Sequence, residues 1–224
     1  MKSLANIMWR AFSGSQAHLA RGTDRIRRFS PGYSPLIGYD DPSGPDFAAL
    51  TPYCEPGERF YCAEWTGPAP EGWKIEVDAS MCAMLWTGET PSPDATLGAV
   101  RLQAAHVPQM MALTALTRPG PFGDRTIELG EWHGVFDGDR LIAMAGERLH
   151  AGNLREISGI CTQPEYQGRG LARRMTELIV RIQLARGQTP FLHVASANAR
   201  ALELYRRMGF VVEREVPMRV VSRT

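Results

Sequence analysis

The stretch EISGICTQPEYQGRGLA, residues 156–172, decides the fold predicted for this 224-residue chain. It begins with a short strand-like run, passes through a glycine-rich turn and enters a helical pattern at Leu171. Gly168 and Gly170 leave the backbone open to a ligand, and the first helical turn offers unpaired N–H groups at its positive end. This order of elements predicts a site for an anion such as a pyrophosphate.

Two common phosphate-binding motifs fit this turn poorly. A dinucleotide fingerprint needs a third glycine where the chain has Arg173, and an acidic residue about twenty positions on, near Pro190. The G-x-x-x-x-G-K-[ST] motif of P-loop nucleotide hydrolases does not occur in the sequence. The sequence therefore disfavours a nicotinamide cofactor and a P-loop enzyme.

Regular elements surround the turn from residue 97 onwards. Residues 97–116 predict one or two helices near Pro108, and strand-like runs at 131–136, 140–149 and 154–163 predict an antiparallel meander with a hairpin at Asp137-Gly138. A helix over 171–186 should end at Gly187. A strand at 191–195, a helix from Asn198 to Gly209 and two strands broken at Pro217 complete the predicted order ααβββαβαββ.

Two segments resemble signatures of the GNAT N-acetyltransferase superfamily. QGRGLA, residues 167–172, resembles its Q/R-x-x-G-x-G/A motif, and NARALELYRRMGF, residues 198–210, resembles N-x-x-A-x-x-L-Y-x-x-x-G-F. The resemblance covers roughly residues 97–221, and residues 156–172 look most like the branch with glycine N-acyltransferase-type C-terminal domains. It implies an α+β fold, the GNAT acyl-CoA N-acyltransferase fold, with a mixed, mostly antiparallel sheet, a splayed central strand pair and flanking helices.

The resemblance also implies acetyl-CoA as co-substrate, an amine as acceptor and no metal. In the family, the strand at 157–162 splays from the strand at 191–195, and its backbone binds the pantetheine arm. The turn and helix start hold the pyrophosphate, and Asn198 bonds the pantetheine or orders its loop. The implied cofactor-binding residues are Ile160, Cys161, Thr162, Gln167, Gly168, Arg169, Gly170, Leu171, Ala172, Arg173 and Asn198.

Acetyl transfer to an amine needs a group that takes a proton and a group that gives one to the departing thiolate. The resemblance makes Tyr205 the candidate acid, and Glu156, at the head of the central strand, is the first choice of base. Three further bases stay open: Glu131, Glu147 and His133. His193 is interpreted as a core histidine, and Cys161 as a packing residue and not a nucleophile.

Composition limits partners and location. The net charge of +1 provides no field that draws the chain to nucleic acid or to an anionic membrane. Four scattered cysteines indicate neither a zinc site nor a disulfide framework, so we expect a cytoplasmic protein. Arg10 interrupts the apolar stretch near the start of the sequence, so we expect neither a signal peptide nor a membrane anchor. A homodimer stays open.

Residues 1–96 carry no motif that we can assign. They are rich in proline and glycine, with strand-like runs at 58–65 and 74–86. We therefore predict two regions: an N-terminal region, 1–96, and an acetyltransferase domain, 97–224. For the first region two hypotheses stay open: a partial, degenerate copy of the same fold, and an interaction domain that delivers the enzyme to a partner. The alternative function for the whole chain is a non-catalytic sensor that binds acyl-CoA.

Overall fold

The N-terminal part of the chain folds into short elements because proline and glycine interrupt every periodic run. The computed structural model describes residues 3–224. Three strands form a small antiparallel sheet in the order β1-β2-β3, and Asp46 caps the second helix by accepting from the Ala49 N–H. The elements are α1 (Ile7–Phe12), β1 (Ala20–Gly22), β2 (Ile26–Phe29), β3 (Ile37–Tyr39) and α2 (Phe47–Leu50).

A second sheet of eight strands forms the body of the protein. Its strands are β4 (Arg59–Ala63), β5 (Trp73–Trp86), β6 (Val100–Arg101), β7 (Trp132–Asp137), β8 (Arg140–Ala151), β9 (Leu154–Thr162), β10 (Thr189–Ala195) and β11 (Phe210–Arg223). The remaining helices are α3 (Val107–Thr117), α4 (Leu171–Ala185) and α5 (Ala199–Met208). The strand order is β4-β11-β5-β10-β9-β8-β7-β6, and only β9 and β10 run parallel. The predicted mixed, mostly antiparallel sheet is confirmed.

The elements that the sequence predicted from local turn and cap signals are present in the structure. Gly138, at φ +56°, turns β7 into β8, and the antiparallel meander continues into β9. Asn198 caps α5 by accepting from the Ala201 N–H, and Gly209, at φ +111°, ends that helix. The helix α4 ends at Ala185, two residues before Gly187.

The predicted strand break at Pro217 is wrong. The strand β11 runs through this residue, pairing Pro217 with Ser80 of β5. The Pro217 carbonyl accepts from the Glu64 N–H, so its nitrogen also points toward β4, whose pairing ends one residue away at Ala63. The missing proline N–H therefore costs no hydrogen bond to β5.

The start of the regular half also differs from the prediction. One helix, α3, stands where one or two were expected, because Pro108 occupies its first turn, where a missing N–H costs nothing. The two-residue strand β6 and a short 3₁₀ helix at 104–106 precede it. The meander, α4, β10 and α5 that follow keep their predicted order.

The large sheet crosses the predicted boundary between residues 96 and 97. The strand β5 lies between β10 and β11, with Phe191 opposite Leu85 and Phe210 opposite Trp86. The N-terminal region thus completes the sheet of the C-terminal region. The division into an N-terminal region, 1–96, and an acetyltransferase domain, 97–224, stays a prediction, and strands of both regions pair in one sheet.

Helices cover both faces of this sheet. On one face, α4 and α5 bury Met175, Ile179 and Tyr205 against residues such as Leu192. On the other face, α1 and the N-terminal strands pack against Phe191 and its neighbours. Of the helices within residues 3–224, none combines the length and apolar character needed to cross a membrane.

Candidate active site

A cleft opens where β9 and β10 separate. The two strands pair only from Leu154 and Thr189 to Glu156 and Phe191. Beyond these residues β9 stays paired with β8, and β10 stays paired with β5, but β9 and β10 no longer pair with each other. A bulge in β9, with Gly159 at φ +62°, bends the strand away from β10. The cleft between them has a volume of about 980 Å³. The predicted splay of this strand pair is therefore present.

The start of α4 forms an anion cradle at this cleft. Gly168 and Gly170 have φ values of +78° and +77°, and a Cβ at either position would meet no atom within 4 Å. The N–H groups of residues 171–173 donate to no protein acceptor in the part of the chain that the structure describes. Free N–H groups at a helix start and an open backbone suit a phosphate. A coenzyme A pyrophosphate fits this chemistry.

The open edge of β9 continues from this cradle. The Gln163 N–H donates to the Ile142 carbonyl on β8, so strand alternation turns the backbone of Thr162 toward the open side. Exposed backbone groups of this kind can bind an extended ligand as an added strand. The predicted cofactor-binding residues that line the cleft are Ile160, Cys161, Thr162, Gln167, Gly168, Gly170, Leu171, Ala172, Arg173 and Asn198.

Arg169 differs from the other residues of the motif because it does not line the cleft. Its guanidinium donates to the Glu165 carbonyl and lies 4.7 Å from the centre of the Tyr166 ring. Arg173 lines the cleft, half-exposed, and pairs with Glu177 at 3.1 Å. Of these two predicted phosphate contacts, the geometry favours Arg173.

Tyr205 lines the same cleft from α5. Its ring packs edge-on against Phe210, with 5.9 Å between ring centres, and its hydroxyl makes no hydrogen bond within residues 3–224. Burial raises the pKa of Tyr205 to about 12, so the phenol keeps its proton at neutral pH. A protonated, unengaged phenol in the cleft is what a proton donor requires, although this role stays a prediction.

Glu156 also lines the cleft, but its carboxylate is fully engaged. Arg148 donates from Nε to Oε2 at 2.8 Å and from Nη2 to Oε1 at 2.7 Å, and His193 Nδ1 lies 2.7 Å from Oε1. Burial alone would raise the pKa of Glu156, but Arg148 and His193 lower it to about 2. So acidic a carboxylate is a weak base by itself, which leaves its predicted role dependent on a partner.

The three other candidate bases lie outside the cleft. Glu131 pairs with Arg186 and lies 3.4 Å from His133, and Glu147 accepts a hydrogen bond from Gln183. Burial lowers the pKa of His133. The structure therefore does not bring Glu131, Glu147 or His133 to the predicted site of transfer.

Cys161 lines the cleft through a buried position on β9. Burial raises the pKa of its thiol to about 12, so the thiolate that a nucleophile needs is not formed at neutral pH. This agrees with the interpretation of Cys161 as a packing residue.

Sequence reasoning missed several residues of the cleft. Arg148 was one, although a charged residue inside the apolar run at 140–149 is a signal of a buried ion pair. Tyr61 of β4, Met81 of β5 and Met218 of β11 also line the cleft, as does the loop at 118–121. No local pattern marks these residues, because they reach the cleft through pairing between strands that are distant in sequence.

The comparisons with known proteins agree with this geometry. The family model described as FR47-like protein matches residues 132–219. Mycothiol acetyltransferase of Streptomyces scabiei is 30% identical over 109 residues, 48% of this chain and 35% of that protein. N-alpha-acetyltransferase RimI of Mycobacterium tuberculosis is 42% identical over 55 residues, 25% of this chain and 34% of that protein. The chain thus spans about a third of the length of each of these curated relatives.

A solved structure matches nearly the whole chain. It is a putative acetyltransferase from the GNAT family of Novosphingobium aromaticivorans, 33% identical to this chain. The match covers 99% of this chain and 98% of that one, with a TM-score of 0.90. The likeness therefore includes the N-terminal region, for which the sequence offered no motif.

Proposed function

The chain belongs to the GNAT family, and from that premise we propose that it is an N-acetyltransferase that moves the acetyl group of acetyl-CoA to an amine. Direct attack in a ternary complex is the proposed mechanism. The observation that carries this proposal is one continuous cleft that joins the anion cradle at Gly168 and Gly170 to the free phenol of Tyr205.

Backbone groups would provide most of the cofactor binding. The N–H groups of residues 171–173 would hold the pyrophosphate, and the open edge of β9 would pair with the pantetheine arm. Asn198 would contribute by capping α5 at the side of the cleft, since its Oδ1 already accepts from the Ala201 N–H. Such contacts orient the ligand without charged side chains, which agrees with the chain's net charge of +1.

The chemistry needs orientation and two proton transfers. Acetyl-CoA supplies an activated thioester carbonyl. Tyr205 would give a proton to the departing sulfur, for which its raised pKa keeps the proton available. Glu156, together with the groups that bind it, would receive the proton that the amine loses. Tyr61, Met81 and Met218 bring an apolar lining to the cleft and favour an acceptor with an apolar part.

Turnover with a panel of amines and protein acceptors tests the proposal. Thiol release from acetyl-CoA would measure transfer, and calorimetry would measure acetyl-CoA binding in the same preparation. Binding together with turnover of at least one acceptor is the expected result. The absence of any acetyl-CoA binding would contradict the proposed cleft.

The alternative function is a sensor that binds acyl-CoA without catalysis. Tight binding with no turnover of any amine or protein acceptor would favour that alternative.

All four cysteines are buried and form no disulfide bond, which suits the reducing cytoplasm, where we place the protein. The glycine N-acyltransferase-type branch, the acyl preference beyond acetyl and a homodimer also stay proposals.

A further inference from the structure

A buried cluster of three hydrogen-bonded polar side chains lies beneath the point where β9 and β10 separate. Glu156 is the last residue of β9 that pairs with β10, and His193 follows two residues after its partner Phe191. Arg148 of β8 forms the third member. The side chains of Arg148, Glu156 and His193 are only 9%, 1% and 8% exposed. Three polar side chains do not share such a position for packing alone.

The hydrogen bonds among these three side chains determine which nitrogen of the His193 ring carries the proton. Glu156 Oε1 accepts from Arg148 and lies 2.7 Å from His193 Nδ1, and an ionised carboxylate can only accept. The proton of a neutral His193 therefore sits on Nδ1, which leaves a lone pair on Nε2. That nitrogen has no hydrogen-bond partner among residues 3–224, and it is not one of their fully buried unpartnered atoms.

His193 lies between two open spaces. It lines the large cleft that also contains Tyr205, and it lines a small pocket against α1 and β3. Because Nδ1 is held by Glu156, the exposed part of the ring carries Nε2. Nε2 is thus the ring nitrogen with an unshared lone pair, on a residue that lines the cleft.

We propose that His193 Nε2 takes the proton of the acceptor amine, and that Glu156 and Arg148 are positioning residues that hold the ring. This rests on the proposed acetyltransferase function. It assigns the base to a residue that sequence reasoning interpreted as a core histidine, and it gives Glu156 the orienting part. Both oxygens of Glu156 are already occupied by Arg148, whereas His193 Nε2 is free.

The proposed step balances in atoms and charge. The amine nitrogen forms a bond to the acetyl carbonyl carbon, and the bond from that carbon to sulfur breaks. The proton of the nitrogen passes to His193 Nε2, and the Tyr205 hydroxyl gives its proton to the sulfur. His193 then loses a proton to solvent and Tyr205 regains one. The net products are an amide and free coenzyme A, without any oxidant or reductant.

Other titratable groups lie around His193, both in the small pocket and in the cleft. In the small pocket, Glu64 and Arg214 form an ion pair at 3.1 Å. Tyr39 lines that pocket, and burial raises its pKa well above the usual range, so it stays neutral. Tyr61 lines the cleft from β4. An imidazolium at His193 would therefore face the Glu156 carboxylate, which Arg148 pairs. Arg155, on the neighbouring strand β9, donates to the Gly152 and Leu154 carbonyls and forms no ion pair within residues 3–224.

His193→Asn tests the proposal because asparagine can still donate from its side-chain nitrogen to Glu156. We expect kcat to fall about a hundredfold to ten-thousandfold, the range of general base catalysis, while acetyl-CoA affinity and Tm stay unchanged. The acidic limb of the pH profile of kcat/KM should disappear. An acceptor whose amine has a low pKa should recover most of the lost rate, because it needs no base before attack.

Two variants serve as controls. His150→Gln removes another half-buried imidazole, which lies on β8, two strands from β10 in the sheet and outside the cleft, and it should leave kcat and the pH profile unchanged. Glu156→Gln keeps an oxygen that can accept from His193 but removes the charge. It should lower kcat less than His193→Asn and move the acidic limb to lower pH.

Nitrogen NMR of histidine-labelled protein separates this proposal from the proposed function. At pH 8, His193 should be protonated at Nδ1 and not at Nε2, whether or not an acceptor has been found. Wild-type kcat and an unchanged acidic limb in His193→Asn would overturn the proposal. A proton on Nε2 in the NMR spectrum would overturn it as well, even where the enzyme acetylates an amine. No turnover of any acceptor by the wild type would instead refute the proposed function.

Discussion

At the scale of single residues, Tyr205 has a hydroxyl that no other group in the described chain uses. Phenylalanine in its place keeps the ring against Phe210 and removes only the proton. We expect Tyr205→Phe to lower kcat about a hundredfold or more, because positioned acid catalysis contributes on that order. Steady-state thiol release from acetyl-CoA would measure the change.

Stability and binding distinguish this loss from misfolding. The Tyr205 hydroxyl forms no hydrogen bond with any residue from 3 to 224, so its removal should change neither Tm nor calorimetric acetyl-CoA affinity. Tyr53→Phe, at an exposed position, is the matched control. Full turnover in Tyr205→Phe would remove this residue from the mechanism and leave the thiolate to depart without it.

Gly170 tests the anion cradle at the same scale. Its φ of +77° and the open space around its Cβ position mean that a side chain there would enter the cleft. We expect Gly170→Val to weaken acetyl-CoA binding at least tenfold, measured by calorimetry, because the side chain would occupy the phosphate's place. The variant should still fold.

Gly187 offers a matched control for that substitution. It stands at φ +69° just beyond the other end of α4, with nothing within 4 Å of its Cβ position and no part in the cleft. Gly187→Val therefore carries a similar backbone strain without the loss of binding. Equal acetyl-CoA affinity in the two variants would show that the cradle lies elsewhere.

At the scale of elements, the bulge in β9 opens the cleft. A Cβ at Gly159 would lie 2.5 and 2.8 Å from ring atoms of Trp132, which is buried and cannot move aside. We expect Gly159→Ala to reduce the free energy of unfolding by about 1–3 kcal/mol through overpacking, and to weaken acetyl-CoA binding. Urea denaturation and calorimetry would measure the two effects.

Gly152, in the turn between β8 and β9, is the control for the bulge. It has nearly the same φ, +61°, and nothing within 4 Å of its Cβ position. Gly152→Ala should therefore show the backbone strain alone, with wild-type acetyl-CoA binding. The bulge would have no role in shaping the cleft if Gly159→Ala and Gly152→Ala behaved alike in both measurements.

At the scale of the whole molecule, the N-terminal region is needed for the sheet. The fragment 97–224 lacks β5, so β10 and β11 would lose the strand that lies between them. It would also lose Cys82, Met84 and Trp86 from the core beneath α4 and α5. We expect this fragment to show no cooperative unfolding transition, measured by circular dichroism during heating.

The full chain under the same conditions is the reference for that experiment. A sharp transition of the fragment, together with acetyl-CoA binding, would mean that residues 97–224 form an independent domain. Because β5 shares long pairings with both β10 and β11, we expect the opposite.

The sequence by itself determined the elements whose signals are local. Hydrophobic spacing and the caps at Asn198 and Gly209 specified α5, and the glycines at 168 and 170 marked the turn that begins α4. The two motifs were enough to predict the family. These features depend on residues within a few positions of one another, so a single pass along the chain could find them.

Only the tertiary structure decided what lies between distant segments. The place of β5 in the sheet, the continuous path of β11 through Pro217 and the contact of Glu156 with Arg148 and His193 all depend on pairing across the chain. Whether a buried histidine packs or accepts a proton depends on which group holds its other nitrogen. That group comes from another strand, and no local pattern around His193 could name it, because register between strands is set by the whole sheet.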